Sequence, residues 1–186
     1  MSAGFRRLDG EAARGARAAV EAVYRGAYWE SVEAGDPFNS PAAFMGRFDS
    51  YAAVPGFELV AAYEDGNAVG QAWGWPLGSG SRWWEGLESE PEPGFTVEDG
   101  ARTFALSEIM VVRGFTGRGI AHALHDELLR GRGERRATLL AEAGNASAYR
   151  AYVRWGWRKV SRLRPRWPDA PLFDVLMLPL PLPLAA

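Results

Sequence analysis

Near the start of the chain, apolar residues recur every three to four positions, the spacing of one helix face. Residues 11–25 carry this pattern after Asp9, whose carboxylate offers an N-cap. A second helix is expected to begin at Ser40 and Pro41, which supply a cap and a proline in the first turn. The pattern therefore predicts two helices, preceded by a short strand at "FRRL".

Strand-like patterns follow from residue 57 onward. Residues 57–63 and 68–75 flank the sequence Glu-Asp-Gly-Asn, which favours a tight turn, so a β-hairpin is predicted. Residues 78–102 then form a stretch rich in tryptophan, glutamate and proline that is too long for an ordinary connection. We interpret it as an insertion containing Trp83 and Trp84. It is either a functional lid or acceptor wall, or a loop that packs on the domain or forms a dimer contact.

Strands and helices alternate in the second half of the chain. Residues 104–112 predict a central strand, and Ile120, Leu124 and Leu128 predict a helix with one apolar stripe. A strand ("ATLLAEAG"), a helix capped by Asn145 and a closing pair of strands ("WRKVSRL" and "LFDVLML") follow, and "LPLPLPLAA" is expected to end ordered structure. This order predicts an α/β (α+β) protein with a mixed sheet and helices on both faces.

Composition narrows the class of protein. The 186 residues suit one domain, residues 1–186, and the hydrophobic fraction of 47% with a net charge of −2 indicates a globular protein without a nucleic-acid partner. The absence of cysteine excludes disulfides, thiolate metal sites and a cysteine nucleophile. No apolar run approaches the ~20 residues that span a bilayer, and no signal peptide is visible, so we expect a cytoplasmic protein without a membrane partner.

The segment "RGFTGRGIA" leads from a β-branched strand into a helix. A helix N-terminus has unpaired N–H groups and partial positive charge, so it binds anions, and Gly117 and Gly119 would let a pyrophosphate approach the backbone. The glycines stand in the order G-x-x-G-x-G, the reverse of a Rossmann loop, and no Lys-Ser/Thr follows as in a Walker loop. Alone, the loop fits a phosphate cradle and a structural turn equally.

A second motif follows about 25 residues later: "NASAYRAYVRWGW" has the form N-x-x-A-x-x-x-Y-x-x-x-G-W. With "TGRGIA" in the place of R/Q-x-x-G-x-G/A, the two motifs resemble those of the GNAT N-acetyltransferase superfamily over residues 104–157. The resemblance implies a GNAT fold with a mixed, mostly antiparallel sheet of six to seven strands. It also implies acetyl-CoA as cosubstrate and no metal.

Two residues depart from the family pattern. Thr116 stands where the family has arginine or glutamine, and Arg113 replaces a common proline. Since the family's pyrophosphate contacts are mostly backbone N–H groups, we expect binding to persist, with Arg118 or Arg113 adding charge.

The resemblance implies direct attack of an amine on the acetyl group, without a covalent enzyme intermediate. Tyr152 matches the family tyrosine near the thioester sulfur and is the predicted general acid. The helical spacing alone would favour a packed aromatic at Tyr152, but the motif context reverses this preference, and Tyr149 is one turn off in phase. Glu108 is the predicted general base, with Glu142 in reserve; a solvent-facing glutamate at a strand edge is the alternative.

Residues that the resemblance places against acetyl-CoA surround the loop. His122 and His125 are i, i+3 on the helix, where a solvated face is preferred to a metal site, although the backbone of His122 is expected to reach phosphate. Asn145 is either a cofactor contact or a plain N-cap. The predicted cofactor-binding residues are Met110, Val111 and Val112 for the pantetheine arm, and Thr116, Gly117, Arg118, Gly119, Ile120, Ala121, His122 and Asn145.

The implied function is an acetyl-CoA-dependent N-acetyltransferase acting on a primary amine of a small molecule or peptide. The alternative is a non-catalytic acyl-CoA-binding or sensing module with the same fold, while glycine order disfavours a Rossmann-type nucleotide binder. The acidic residues of the insertion, Glu85, Glu88, Glu90 and Glu92, would favour a cationic acceptor. A homodimer is compatible with the family.

Overall fold

The computed structural model describes residues 3–182, so the end of the proline-punctuated tail lies outside the described residues. The strands are β1 (Gly4–Asp9), β2 (Glu58–Glu64), β3 (Asn67–Pro76), β4 (Thr103–Val111), β5 (Arg136–Ala141), β6 (Arg158–Leu163) and β7 (Phe173–Pro179). The α-helices are α1 (Gly10–Gly15), α2 (Arg17–Ala27), α3 (Trp29–Glu33), α4 (Pro41–Tyr51), α5 (Ile120–Leu129) and α6 (Ala146–Arg154).

The seven strands form a mixed sheet in the order β1-β2-β3-β4-β5-β7-β6. Its pairs β1–β2, β2–β3, β5–β7 and β6–β7 are antiparallel, whereas β4–β5 is parallel. The predicted α/β class, the mostly antiparallel sheet and the closing strand pair are confirmed. Within residues 3–182, none of the helices is long and apolar enough to cross a membrane.

The chain folds into two compact units. Among the described residues, the first contains residues 3–75 together with Leu106–Arg130, and the second contains Pro76–Ala105 and residues 131–182. β4 begins in the second unit and continues into the first. The expected single domain over residues 1–186 stays a prediction.

In the first unit, the helix predicted over residues 11–25 is wrong in one respect, because it is two helices. Asp9 accepts a hydrogen bond from the N–H of Ala12, as predicted, but α1 ends at Gly15 and Ala16 leaves the helical region at φ −94° and ψ 14°. Glycine weakens a helix interior, so a break at this point is inexpensive. The short helix α3 was not predicted.

The hairpin of β2 and β3 is as predicted. Asp65 and Gly66 connect the strands with φ values of 49° and 80°, so both central residues are left-handed. Such a two-residue turn matches the twist of the flanking strands. Trp73 of β3 is almost fully buried, and its ring contacts the buried rings of Phe44 and Phe48 on α4.

In the second unit, the long insertion packs against the fold. Trp84 is 7% exposed, and its indole Nε1 donates to Oε1 of Glu98 at 2.9 Å. The same oxygen accepts hydrogen bonds from Thr103 Oγ1 at 2.8 Å and Arg136 Nη2 at 3.2 Å. One buried carboxylate thus joins the insertion to the first residues of β4 and β5, and this supports a packed loop over a lid.

The insertion also extends the edge of the sheet at β6. Leu87 forms a bridge with Leu163, and the N–H of Arg164 donates to the carbonyl of Gly86 at 3.2 Å. Gly86 has φ 89°, and a Cβ at this position would lie 2.1 Å from the Arg164 carbonyl oxygen. Only glycine fits this close approach.

Candidate functional site

The glycine loop begins with a 3-10 turn, Arg113–Phe115, and ends at the N-cap of α5. Gly117 and Gly119 have φ values of 75° and 78°, which glycine adopts without strain. A Cβ on either residue would meet no atom within 4 Å. Backbone conformation therefore explains these two glycines, and the open space beside them leaves room for a ligand.

The N-terminus of α5 lacks a side-chain cap and has no acidic residue in its first turn. Its first intrahelical bond joins the N–H of Ala123 to the carbonyl of Gly119 at 3.0 Å, so the N–H groups of Ile120, Ala121 and His122 precede the helical ladder. These groups and the helix dipole give this end partial positive charge. The residues present therefore suit an oxyanion such as a phosphate.

Thr116 acts on the loop itself. Its Oγ1 donates to the carbonyl of Arg113 at 2.9 Å and closes the 3-10 turn. Arg118 pairs with Glu64 at 3.1 Å, and Arg113 pairs with Glu30 at 3.2 Å. Both arginines already have carboxylate partners, so their contribution to phosphate binding stays a prediction.

Glu108 lies on β4, five residues before the loop, and its side chain is partly buried. Burial raises its pKa from the ordinary 4.5 to about 7, and the positive charge of Arg47 opposes this shift without cancelling it. The side chain is therefore not fully exposed, and its role as general base stays a prediction. Glu142, the reserve candidate, is exposed.

The face of β4 that carries Glu108 packs under α2. Met110 lies two residues further along β4 and therefore on the same face. Its sulfur accepts a hydrogen bond from Gln71 Nε2 at 3.4 Å, and the same amide donates to the carbonyl of Val20 on α2 at 3.0 Å. Val112 approaches α2 at Gly26. A Cβ on Gly26 would lie 3.1 Å from the Val112 methyl groups, so glycine allows this close contact.

The end of β4 has limited strand pairing on one side. The pairing with β5 stops at Ala105, so Met110, Val111 and Val112 lie beyond its last pair. On the β3 side, the N–H of Val112 donates to the carbonyl of Val69 at 2.9 Å. The contacts predicted between these three residues and a pantetheine arm stay predictions.

Two tyrosines of α6 have different surroundings in the second unit. The hydroxyl of Tyr149 hydrogen-bonds to Asp174, and burial with this carboxylate raises the pKa of Tyr149. Tyr152 is partly exposed and contacts Trp155 and Trp157 edge to face, with ring centroids 5.7 and 6.4 Å apart. Tyr149 therefore has a structural partner in the fold, and the role of Tyr152 as general acid stays a prediction.

Asn145 is the N-cap of α6. Its Oδ1 accepts from the N–H of Ala148 at 3.2 Å, so the capping interpretation is confirmed. A role in cofactor binding stays a prediction.

The histidines of α5 differ from the expected solvated face. His122 is exposed, but His125 is 1% exposed beside the apolar stripe, and burial lowers the pKa of its imidazole. The solvated interpretation is therefore wrong for His125. Ligand atoms of His122, His125 and Asp126 lie within 4.8 Å of one another, a grouping that could hold a metal ion, so the expected absence of a metal stays a prediction.

Four carboxylates of the insertion were expected to favour a cationic acceptor, and two of them, Glu85 and Glu88, have arginine partners. Glu85 pairs with Arg82 at 2.9 Å and Arg166 at 3.3 Å, and Glu88 pairs with Arg162 at 2.8 Å. The charge of these two carboxylates is therefore largely compensated within the second unit.

Arg47 was missed as a candidate. It is 8% exposed on α4, and its charge acts on Glu108. Its position three residues after Phe44, on a helix face otherwise apolar, was the available signal. The glycine loop, Glu108 and Arg47 belong to the first unit, whereas Tyr152 and Asn145 belong to the second.

Solved structures similar to this chain share the fold of acetyltransferases. A protein from Desulfovibrio desulfuricans described as a GNAT-family acetyltransferase is 21% identical, with 96% of this chain and 99% of that chain covered and a TM-score of 0.63. The ribosomal-protein-S18-alanine N-acetyltransferase of Escherichia coli is 16% identical, with 99% and 96% covered and a TM-score of 0.63. An acetyltransferase of Salmonella typhimurium, solved with its cofactor acetyl-CoA, is 14% identical, with 100% and 98% covered and a TM-score of 0.60.

The family model described as "Acetyltransferase (GNAT) family" matches residues 23–157. The chain therefore belongs to the GNAT acetyltransferase family, as the two sequence motifs predicted. A search among curated proteins gave no match.

Proposed function

We propose that this protein is an acetyl-CoA-dependent N-acetyltransferase that acetylates a primary amine of a small molecule or peptide. The observation that carries the proposal is the partly buried carboxylate of Glu108, whose pKa of about 7 suits a general base at neutral pH. It lies on the strand that leads into the glycine loop and the uncapped end of α5. Family membership supports acetyl transfer as the reaction.

Acetyl-CoA would be held mainly by backbone groups. In this proposal the pyrophosphate binds the N–H groups of Ile120, Ala121 and His122, with the loop from Thr116 to Gly119 completing the cradle. The partial positive charge of this helix end and the open space beside its glycines support the assignment. Met110, Val111 and Val112 would face the pantetheine arm, because they follow the last β4–β5 pair.

The reaction needs proton transfer at the amine and at the sulfur. Glu108 takes a proton from the ammonium group, directly or through water, and the free amine attacks the carbonyl carbon of the thioester. Collapse of the tetrahedral intermediate breaks the C–S bond, and the hydroxyl of Tyr152 protonates the leaving thiolate. The nitrogen loses its second proton, Tyr152 regains one, and the balance is an amide, CoA and one proton released to solvent.

Two assays test the proposal. Acetyl-CoA should raise the melting temperature while NAD and ATP do not, because a ligand at 100 times its Kd stabilises by about 2.7 kcal/mol. A panel of amines should then release free CoA. No shift with any CoA ester contradicts the acetyl-CoA site. Binding without release across the panel would instead favour the non-catalytic acyl-CoA-binding module.

A further inference from the structure

Arg47 differs from the other buried charged side chains in residues 3–182. Glu98 pairs with Arg136 at 3.2 Å, Glu134 pairs with Arg132 at 3.1 Å, and Asp174 pairs with Lys159 at 2.7 Å. Arg47 is 8% exposed, yet no carboxylate in the described part of the chain comes within ion-pair distance of it. A buried charge without a counter-ion is unfavourable, so this exception needs an explanation.

Contacts with aromatic rings and one carbonyl hold the guanidinium in place. Its Nη1 donates to the carbonyl of Phe38 at 2.8 Å, and its central carbon lies 4.0 Å from the centroid of the Phe38 ring. A guanidinium has five N–H donors, and this carbonyl takes only one of them. The fork is therefore fixed in orientation while most of its donors have no acceptor among residues 3–182.

Arg47 also acts electrostatically on the proposed base. It is one turn beyond Phe44 on α4, and the Phe44 ring stacks on Tyr24 of α2 at 3.6 Å between centroids. α2 in turn packs on the Glu108 face of β4 through Gln71 and Met110. The electrostatic effects agree, because the charge of Arg47 lowers the pKa of both Tyr24 and Glu108.

We infer that Arg47 binds a carboxylate of the acceptor, so that the substrate is an amine that also carries a carboxylate group. A planar guanidinium matches the two oxygens of a carboxylate with parallel hydrogen bonds, which a lysine cannot reproduce. The amine of such an acceptor would lie toward Glu108 and its carboxylate toward Arg47. This inference rests on the proposed acetyltransferase function and names its substrate class.

Glu108 is a poor permanent counter-ion for Arg47. With a pKa of about 7, it is protonated in much of the protein at neutral pH, and the base must gain and lose a proton in each cycle. An acceptor carboxylate, with an ordinary pKa near 4, would remain charged throughout. It would therefore supply the missing negative charge without disturbing the base.

The test compares acceptors that differ only in the carboxylate. Amino acids are assayed for CoA release beside the amines formed by their decarboxylation, with the wild-type protein and the variants Arg47→Gln and Arg47→Lys. We expect the wild type to prefer the amino acid of a pair. The preference in kcat/KM should fall about 10- to 100-fold in Arg47→Gln, the size of a lost charge-assisted hydrogen bond. Arg47→Lys should restore only part of it.

The ratio between paired acceptors is measured within one preparation, so a smaller folded fraction cancels. Arg17→Gln is the matched control, because Arg17 is exposed and paired with Asp49 at 3.0 Å, and its ratio should equal that of the wild type. If Arg47→Gln keeps the wild-type preference, or if the wild type prefers the decarboxylated amine, Arg47 does not bind a carboxylate. No CoA release from any amine overturns the acetyltransferase function and this inference together. Failure of the inference alone can be recognised, because CoA is then still released from the amines that lack a carboxylate.

Discussion

Tyr149 on α6 hydrogen-bonds through its hydroxyl to Asp174 on β7, and Asp174 also pairs with Lys159 at 2.7 Å. This interaction ties the helix to the sheet in the second unit. The two tyrosines of the motif therefore differ. Tyr149 has a structural partner, and Tyr152 has the position of the family tyrosine. Substitution of each residue should therefore give a different result.

Tyr152→Phe should lower kcat by about 10²-fold or more, the usual contribution of a positioned general acid, while acetyl-CoA binding persists. Tyr149→Phe is the control: it should keep near wild-type turnover but lose about 1 kcal/mol of unfolding free energy with its hydrogen bond to Asp174. Steady-state kinetics and urea unfolding measure the two effects. Unchanged turnover in Tyr152→Phe would show that it is not the general acid.

The pH dependence of kcat/KM should report Glu108. A base with a pKa of about 7 must be deprotonated to act, so the rate should rise with pH through that value. Glu108→Gln should remove this acidic limb and lower the rate at neutral pH by about 10²-fold. Glu142→Gln, an exposed control, should leave the profile intact. An identical acidic limb in Glu108→Gln would assign the base elsewhere.

Arg47 should influence the same profile. Its positive charge lowers the pKa of Glu108, so Arg47→Gln should move the acidic limb to higher pH. Tyr24 is the other titratable group that interacts with Glu108, and burial raises its pKa, so it stays neutral across the measured range. A pH–rate series with a decarboxylated amine isolates this effect from carboxylate binding. A limb that does not move would mean that the two groups are not coupled.

Stability should also depend on Glu108. The folded protein holds this proton up to about pH 7, whereas the unfolded chain loses it near 4.5. Between these values the folded state binds more protons, so the unfolding free energy falls as pH rises, by at most about 3 kcal/mol. Glu108→Gln cannot titrate, so it should gain stability relative to wild type from pH 5 to pH 8. Urea unfolding at both pH values measures this, and a constant difference would contradict the raised pKa.

Backbone angle, rather than space, should decide which glycines of the loop tolerate alanine. Gly119→Ala places a side chain at φ 78°, which should cost about 1–2 kcal/mol and weaken acetyl-CoA binding by distorting the entry to α5. Gly114→Ala is the control, since Gly114 lacks a positive φ and has open space around it. Melting temperatures with and without acetyl-CoA compare the two. Equal behaviour would remove the conformational explanation.

Local sequence patterns predicted most elements of this fold, because each has a short-range cause. The Asp9 and Ser40 caps, the Asp65-Gly66 turn and the apolar stripe of α5 each depend on residues within a few positions of one another. The break at Ala16 was missed because alanine favours helix and only Gly15 indicates an end.

Features that depend on contacts between distant parts of the chain could not be predicted from local sequence patterns. The burial of His125 and of Arg47 follows from packing between elements, and each polar residue stands within an otherwise helical pattern. The arginine partners of Glu85 likewise include Arg166, far along the chain. The site residues were predicted from the family resemblance. The raised pKa of Glu108 and the hydrogen bond of Tyr149 became visible only in the structure.

The shared carboxylate of Glu98 has a consequence for protein engineering. Its Oε1 atom accepts hydrogen bonds from Trp84, Thr103 and Arg136. The insertion therefore helps to hold the first residues of β4 and β5 in place. Trimming the segment to obtain a minimal version would leave the guanidinium of Arg136 without that carboxylate. Grafts and chimaeras made from this protein should therefore carry the insertion and the first residues of these two strands as one block.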